Sequence, residues 1–367
     1  MECVVNDKYK YIMFYGAKAA CTSLRNLYLA IHRDEMSEQQ LASLDSYHNL
    51  NVVCPFEPDT DYSDYYKFYI SRNPYERVVS AFLDQYTFAR HESVQSMLEE
   101  CPPKNGDPQT FVEFLYYLRD VPDYSRDSHF QTQSHFGYKV ILKRKPKLRR
   151  MLPDQIALDY TGDVRQFDNH LEKIFRKIFR NNTEMREKAL TEIPKIPRMN
   201  NLIYGKETWP NAEHMNPEEL RSLPYVVKPQ DFYAGNETRE LVQEIYARDF
   251  EMFAYSKNAL PNKKASQELS LMPPDFDWQT YSTLNPDLLA QGVNTQRQLN
   301  HHYLMHGRNE DKKRFYKLEA PHEFDWQTYL KLNSDLQEAG IDNERDALIH
   351  YLAYGYHEKR AYKVEEI

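Results

Sequence analysis

Near the start of the chain, FYGAKAACTSL (residues 14–24) sets one lysine, Lys18, and two hydroxyl residues, Thr22 and Ser23, among small neighbours. A strand that enters a tight turn and then a helix aims the helix's first free N–H groups at one point, and the helix dipole adds positive potential there. Lys18 adds a full charge to such a mouth, the two hydroxyls add neutral donors, and Ala17, Ala19 and Ala20 let a ligand approach the backbone. The set suits a phosphate or sulfate group. It is not the nucleoside-triphosphate loop GxxxxGK[ST], whose Gly and Lys spacing fails here. Taken alone, the same residues also read as a plain helix start capped by Thr22 or Ser23. A second mouth, YISRNPYERVVSAFLDQY (69–86), puts Arg72 at a strand end and Ser80 eight residues on. A ligand with two anionic ends would engage both.

The flanking pattern supplies the elements these residues need. Residues 8–15 are short, aromatic and apolar and stop at Gly16, which predicts a strand. From Thr22 the apolar positions Leu24, Leu27, Tyr28 and Ile31 recur at helical spacing. Residues 66–71 predict a second strand, and Pro74 suits the first turn of a helix that continues through Val78, Val79, Phe82 and Tyr86. Segments 109–120 and 166–180 read as helices and 155–164 as a further strand. The alternation predicts an α/β layer fold with parallel strands.

Composition narrows the function. The 367 residues carry a net charge of −8, which argues against a nucleic-acid binder, so an anionic ligand must be held by a local site. Cys3, Cys21, Cys54 and Cys101 form no CxxC pair and no Cys/His cluster, which disfavours a zinc site and a disulfide scaffold and fits a reducing compartment. No run is long and apolar enough for a membrane span, and MECVVNDKYKYIMFY is not built like a signal peptide. The expectation is a cytoplasmic chain, with the Golgi lumen its setting only if a targeting segment has been removed.

Near residue 258 the periodicity stops, and residues 258–274 read as a linker. FDWQTYSTLNPDLLAQGVNTQRQLNHHYLMHGRNE then starts at Phe276, and FDWQTYLKLNSDLQEAGIDNERDALIHYLAYGYHE starts 48 residues later at Phe324. Trp278 matches Trp326, Tyr281 matches Tyr329, His302 matches His350 and Gly307 matches Gly355. Such self-similarity marks a duplicated helical unit whose Trp, Tyr and His recur to fill equivalent cores. The organisation read from this is a domain at 1–257, the linker at 258–274, and all-α repeats at 275–319 and 320–367.

The pair K-x-x-x-T-S-L and R-N-P-Y-E-R-V-V-S-A-F resembles the two nucleotide-binding motifs of the carbohydrate sulfotransferases, the chondroitin and HNK-1 type Golgi branch. Weaker likeness runs through 127–134, 159–174 and 244–255, so the resemblance covers about residues 8–256; the family's usual first-motif proline is Ala17 here. It implies a P-loop-like parallel sheet flanked by helices and the cosubstrate 3′-phosphoadenosine 5′-phosphosulfate (PAPS), with no metal. Lys18, Ala19, Ala20, Cys21, Thr22 and Ser23 would hold the 5′ end and Arg72 and Ser80 the 3′-phosphate. It also implies a glycan acceptor.

Sulfuryl transfer needs an acceptor oxygen aligned with the leaving oxygen and charge neutralised on the latter, a task suited to a mobile lysine such as Lys18. The acceptor also needs a base near neutral pH, for which His48 and His129 are both candidates. Residues 139–150 hold seven basic side chains, a patch for an anionic glycan or a solvated loop. Competing readings are a kinase-like transferase, disfavoured by the missing GK[ST], and a non-catalytic glycan-binding protein working through the repeats.

Overall fold

The computed structural model describes residues 2–44, 49–57, 60–89, 91–135, 157–196, 202–264, 266–273, 276–310, 320–356 and 358–363. His48 and the basic run 139–150 lie outside them. Packing divides the chain into two units, one of residues 1–202, 208–220 and 227–263, the other of 203–207, 221–226 and 264–367.

The first unit is built on a four-stranded sheet of order β1-β2-β3-β4. β2 (Tyr11–Tyr15) pairs in parallel with β3 (Tyr66–Ser71), and β3 with β4 (Tyr160–Asp163). The sheet is not wholly parallel, because β1 (Glu2–Asn6) adds an antiparallel edge, with Glu2 opposite Tyr15. β2 is apolar throughout because both its faces are covered. Tyr11, Met13 and Tyr15 pack with Leu24, Leu27, Ile31 and Phe175 on one side. Ile12 and Phe14 pack with Tyr62, Tyr65 and Tyr69 on the other. Each fully buried side chain of this kind contributes about 1.5–3 kcal/mol.

The helix Cys21–His32 follows β2 and buries the periodic positions Leu24, Leu27, Tyr28 and Ile31. The helix Pro74–Ala81 follows β3, with Asn73 Oδ1 accepting from the Tyr75 amide at 2.9 Å as its cap. It runs on into a π-helical turn, Phe82–Phe88. Helices Phe111–Asp120 and Phe167–Ile178 fall where the periodicity placed them.

A polar network ties β2 to the helix beside it. The buried His32 ring meets the Tyr11 hydroxyl at 2.7 Å and Glu35 at 2.9 Å, and Glu35 also accepts from Lys8 and Tyr9. Burial alone would raise the Glu35 carboxyl, but hydrogen bonds from His32, Lys8 and Tyr9 pull it from 4.5 down to about 2. A depressed folded-state value gives stability that is whole above 4.5 and is lost as pH falls toward 2. Glu35→Gln is therefore expected to lower stability at pH 6 and to flatten its acid loss, as read by urea unfolding at stepped pH. An unchanged acid slope would rule the network out as a source of stability.

The second unit holds the repeated sequence as helices Trp278–Leu284, Pro286–Ala290 and Gln296–Met305, and again as Trp326–Leu332, Ser334–Glu338 and Glu344–His350. Buried Tyr281 meets His302 Nδ1 at 2.8 Å, and buried Tyr329 meets His350 Nδ1 at 2.9 Å. Asn285 and Asn333 each donate to the carbonyl of the preceding tyrosine at 2.8 Å. A Cβ at Gly307 or Gly355 would collide with the Tyr281 or Tyr329 hydroxyl, which accounts for glycine at both positions. The stretch 258–274 is divided by this packing. Residues up to Lys263 fold with the first unit, held by the Gln230 side chain, which bonds both the amide and the carbonyl of Lys263.

Candidate functional site

β2, β3 and β4 run in the same sense, so their C-terminal ends open at one edge, the usual place for a ligand crevice in an α/β sheet. Gly16 ends β2, where a Cβ would strike the Tyr69 hydroxyl. The Ala19 amide closes a turn on the Gly16 carbonyl at 3.1 Å. Lys18 (φ 62°) and Ala20 (φ 60°) both take left-handed backbone without being glycine, a conformation costing on the order of 1–3 kcal/mol per residue that persists where the surroundings enforce it.

This turn delivers the helix abruptly. Ala20 is the N-cap, no side chain caps the helix, and the first turn carries no acidic residue. Neither Thr22 nor Ser23 is the capping residue. Because Ala20 occupies that place, both lie inside the first turn. The first-turn amides have no carbonyl one turn back within the helix, so the mouth presents donors and positive dipole potential to an anion.

Lys18 sits in the turn that precedes this mouth, with its ammonium ion-paired to Asp84 on the π-helical turn. π turns of this kind recur at functional sites. Burial would raise the Asp84 carboxyl, but the hydrogen bond and charge of Lys18, with help from Gln85 and the charge of His129, hold it below its ordinary value. His129 is thus within electrostatic reach of the Lys18–Asp84 pair. Its Nδ1 lies 2.7 Å from Asp127 Oδ1, and its own amide donates to the same oxygen at 2.9 Å. Burial would raise Asp127 too, yet the hydrogen bond and charge of His129 bring it down to about 2.

Arg72 joins the second mouth to the first. Its Nη1 donates to the Lys18 carbonyl at 3.2 Å. Its amide donates to Gln133 Oε1 at 2.9 Å, and Gln133 Nε2 donates back to the Arg72 carbonyl at 2.7 Å. Ser80 is buried on the helix that follows, two turns from Arg72. Lys18, Thr22, Arg72, Asp84 and His129 therefore belong to one edge of one sheet.

Three polar residues that the sequence did not single out brace this edge. Buried Arg77 donates to the carbonyls of Ala17 (2.9 Å), Gln131 (2.7 Å) and Ser128 (3.4 Å), clamping the first loop to the 128–134 segment. Fully buried Asp249 accepts from the amides of Gln133 (2.8 Å) and Ser134 (2.7 Å). Gln133 itself holds the backbone of Arg72. Such residues read as solvated from sequence alone, and only the fold supplies the buried partners that each requires.

Residues 1–256 match the Sulfotransferase family. Human carbohydrate sulfotransferase 14 is 24% identical over 143 residues, a match covering 36% of this chain and 38% of that protein. The chain therefore matches less than two-fifths of the length of this curated relative. No solved structure matches the chain. The human relative is a carbohydrate sulfotransferase of a Golgi-lumenal family, and that likeness contradicts the cytoplasmic placement drawn from the cysteines and the opening residues. Four free thiols, two of them buried, do not report the redox state of a compartment. Among the described residues no helix is long and apolar enough to cross a membrane.

Proposed function

The chain belongs to the sulfotransferase family, and from that premise we propose that it transfers the sulfuryl group of PAPS to a hydroxyl of a carbohydrate. The observation that carries the reading is the Arg72–Lys18 hydrogen bond of 3.2 Å, which sets the two basic–hydroxyl mouths side by side. The uncapped helix start fits an anion. Lys18, Ala19, Ala20, Cys21, Thr22 and Ser23 would hold the 5′ end of the nucleotide, and Arg72 and Ser80 the 3′-phosphate. PAPS supplies a sulfuryl group activated by a phosphate leaving group. Lys18 supplies the charge that offsets what builds on the leaving oxygen.

His129 is the base in this reading. Its Nδ1 is engaged by Asp127, which fixes the tautomer and leaves Nε2 to take the acceptor's proton. The carbohydrate acceptor rests on the name of the human relative. The repeated helices are read as an accessory glycan-recognition module, with the exposed Tyr354 ring available to lie against a sugar face.

The test is transfer of radiolabelled sulfate from PAPS to a panel of glycans. His129→Ala is expected to lower turnover about 100-fold or more while leaving affinity for adenosine 3′,5′-bisphosphate unchanged. No transfer to any glycan by protein that binds the bisphosphate would remove the carbohydrate assignment.

A further inference from the structure

Beside the proposed 3′-phosphate pocket, two cations share one buried carboxylate oxygen. Arg72 Nε lies 3.5 Å from Glu76 Oε2, and Lys263 Nζ lies 3.5 Å from that same oxygen. The Glu76 side chain is only 4% exposed. Arg72 and Glu76 alone would form a neutral pair, a poor seat for a doubly charged phosphate. Lys263 brings the trio to a net single positive charge, and Arg165 beyond the end of β4 is a further cation whose field reaches Glu76, although Asp163 pairs with it at 2.9 Å.

The segment that carries Lys263 is fixed in place. The Lys263 amide donates to Gln230 Oε1 at 3.0 Å, and Gln230 Nε2 donates to the Lys263 carbonyl at 2.7 Å. Six residues earlier, the Lys257 carbonyl accepts from the hydroxyl of Tyr75, a residue of the same helix as Glu76, at 2.8 Å. The Lys263 side chain remains 34% exposed, so its ammonium can turn to a ligand without leaving the surface. Residue 263 lies beyond the family match, which ends at 256.

Building on the nucleotide reading above, we propose that Lys263 is a specificity-determining residue that completes the 3′-phosphate pocket with Arg72 and Ser80. It restores the positive charge that Glu76 cancels and selects a nucleotide bearing a 3′-phosphomonoester dianion over one without it.

The experiment is calorimetry on the full chain with adenosine 3′,5′-bisphosphate and with adenosine 5′-monophosphate. Wild type is expected to prefer the bisphosphate. Lys263→Ala should weaken the bisphosphate about tenfold and leave the monophosphate unchanged, and Lys263→Arg should restore the preference. Lys263→Met, which keeps the apolar stem, should behave like alanine and covers the case in which alanine unfolds the segment. A Lys263 variant that binds both ligands as wild type does, or loses both equally, overturns the assignment. A wild-type chain that binds neither ligand overturns the underlying nucleotide site instead.

Discussion

Lys18→Ala is expected to lower kcat for sulfate transfer by about two to three orders of magnitude, with bisphosphate affinity changed only a few-fold. The asymmetry follows from the ion pair with Asp84. In the free protein the ammonium already has an anionic partner, so binding the nucleotide exchanges one pairing for another and gains little net energy. Charge grows on the leaving oxygen only as the bond breaks, so the benefit of the lysine is concentrated in the transition state. Turnover at saturating PAPS, set beside calorimetry with the bisphosphate, separates the two effects. Equal losses in both would make Lys18 a binding residue alone.

Arg72→Ala is expected to weaken adenosine 3′,5′-bisphosphate by about a hundredfold, the loss of two charge-assisted hydrogen bonds. The change removes the cation that the proposed site assigns to the 3′-phosphate and leaves Lys263 paired with Glu76 as a neutral couple. It also deletes the bond to the Lys18 carbonyl, so the first loop loses a brace. Arg72→Lys keeps the charge without the planar fork and should fall between the two. An Arg72→Ala protein with wild-type affinity would end the assignment of the second mouth to the nucleotide.

The sheet and its helices were legible because burial writes itself as pattern. β2 and β3 are apolar runs because both their faces are covered, and the helix Cys21–His32 shows its buried face at regular spacing. β1 escaped notice because Glu2–Asn6 is short and polar at both ends, and only its pairing with Tyr11–Tyr15 makes it a strand. The helix start is hidden in the sequence for a related reason. Left-handed backbone at Lys18 and Ala20 has no glycine to announce it, so the sequence offers Thr22 or Ser23 as the cap where the structure has Ala20. Of the proposed site residues, Lys18 and Arg72 stand out in the sequence because each is a cation placed where an apolar strand ends. Those that hold them, Arg77, Gln133 and Asp249, are polar groups satisfied only by distant carbonyls and amides. Asp84 was invisible for the same cause, as a carboxylate whose partner lies 66 positions away in the chain.

The chain passes between its two packing units five times, since 203–207 and 221–226 belong with 264–367 while 208–220 and 227–263 do not. The Val226 amide bonds the Ile203 carbonyl at 3.0 Å, and the Tyr204 amide bonds the Ser266 hydroxyl at 2.9 Å. No single cut in the gene can release either body whole. Grafting the repeats onto another protein would have to transplant two excursions from inside the first unit's sequence, so the duplicated segment is woven into the chain rather than tacked onto a tail.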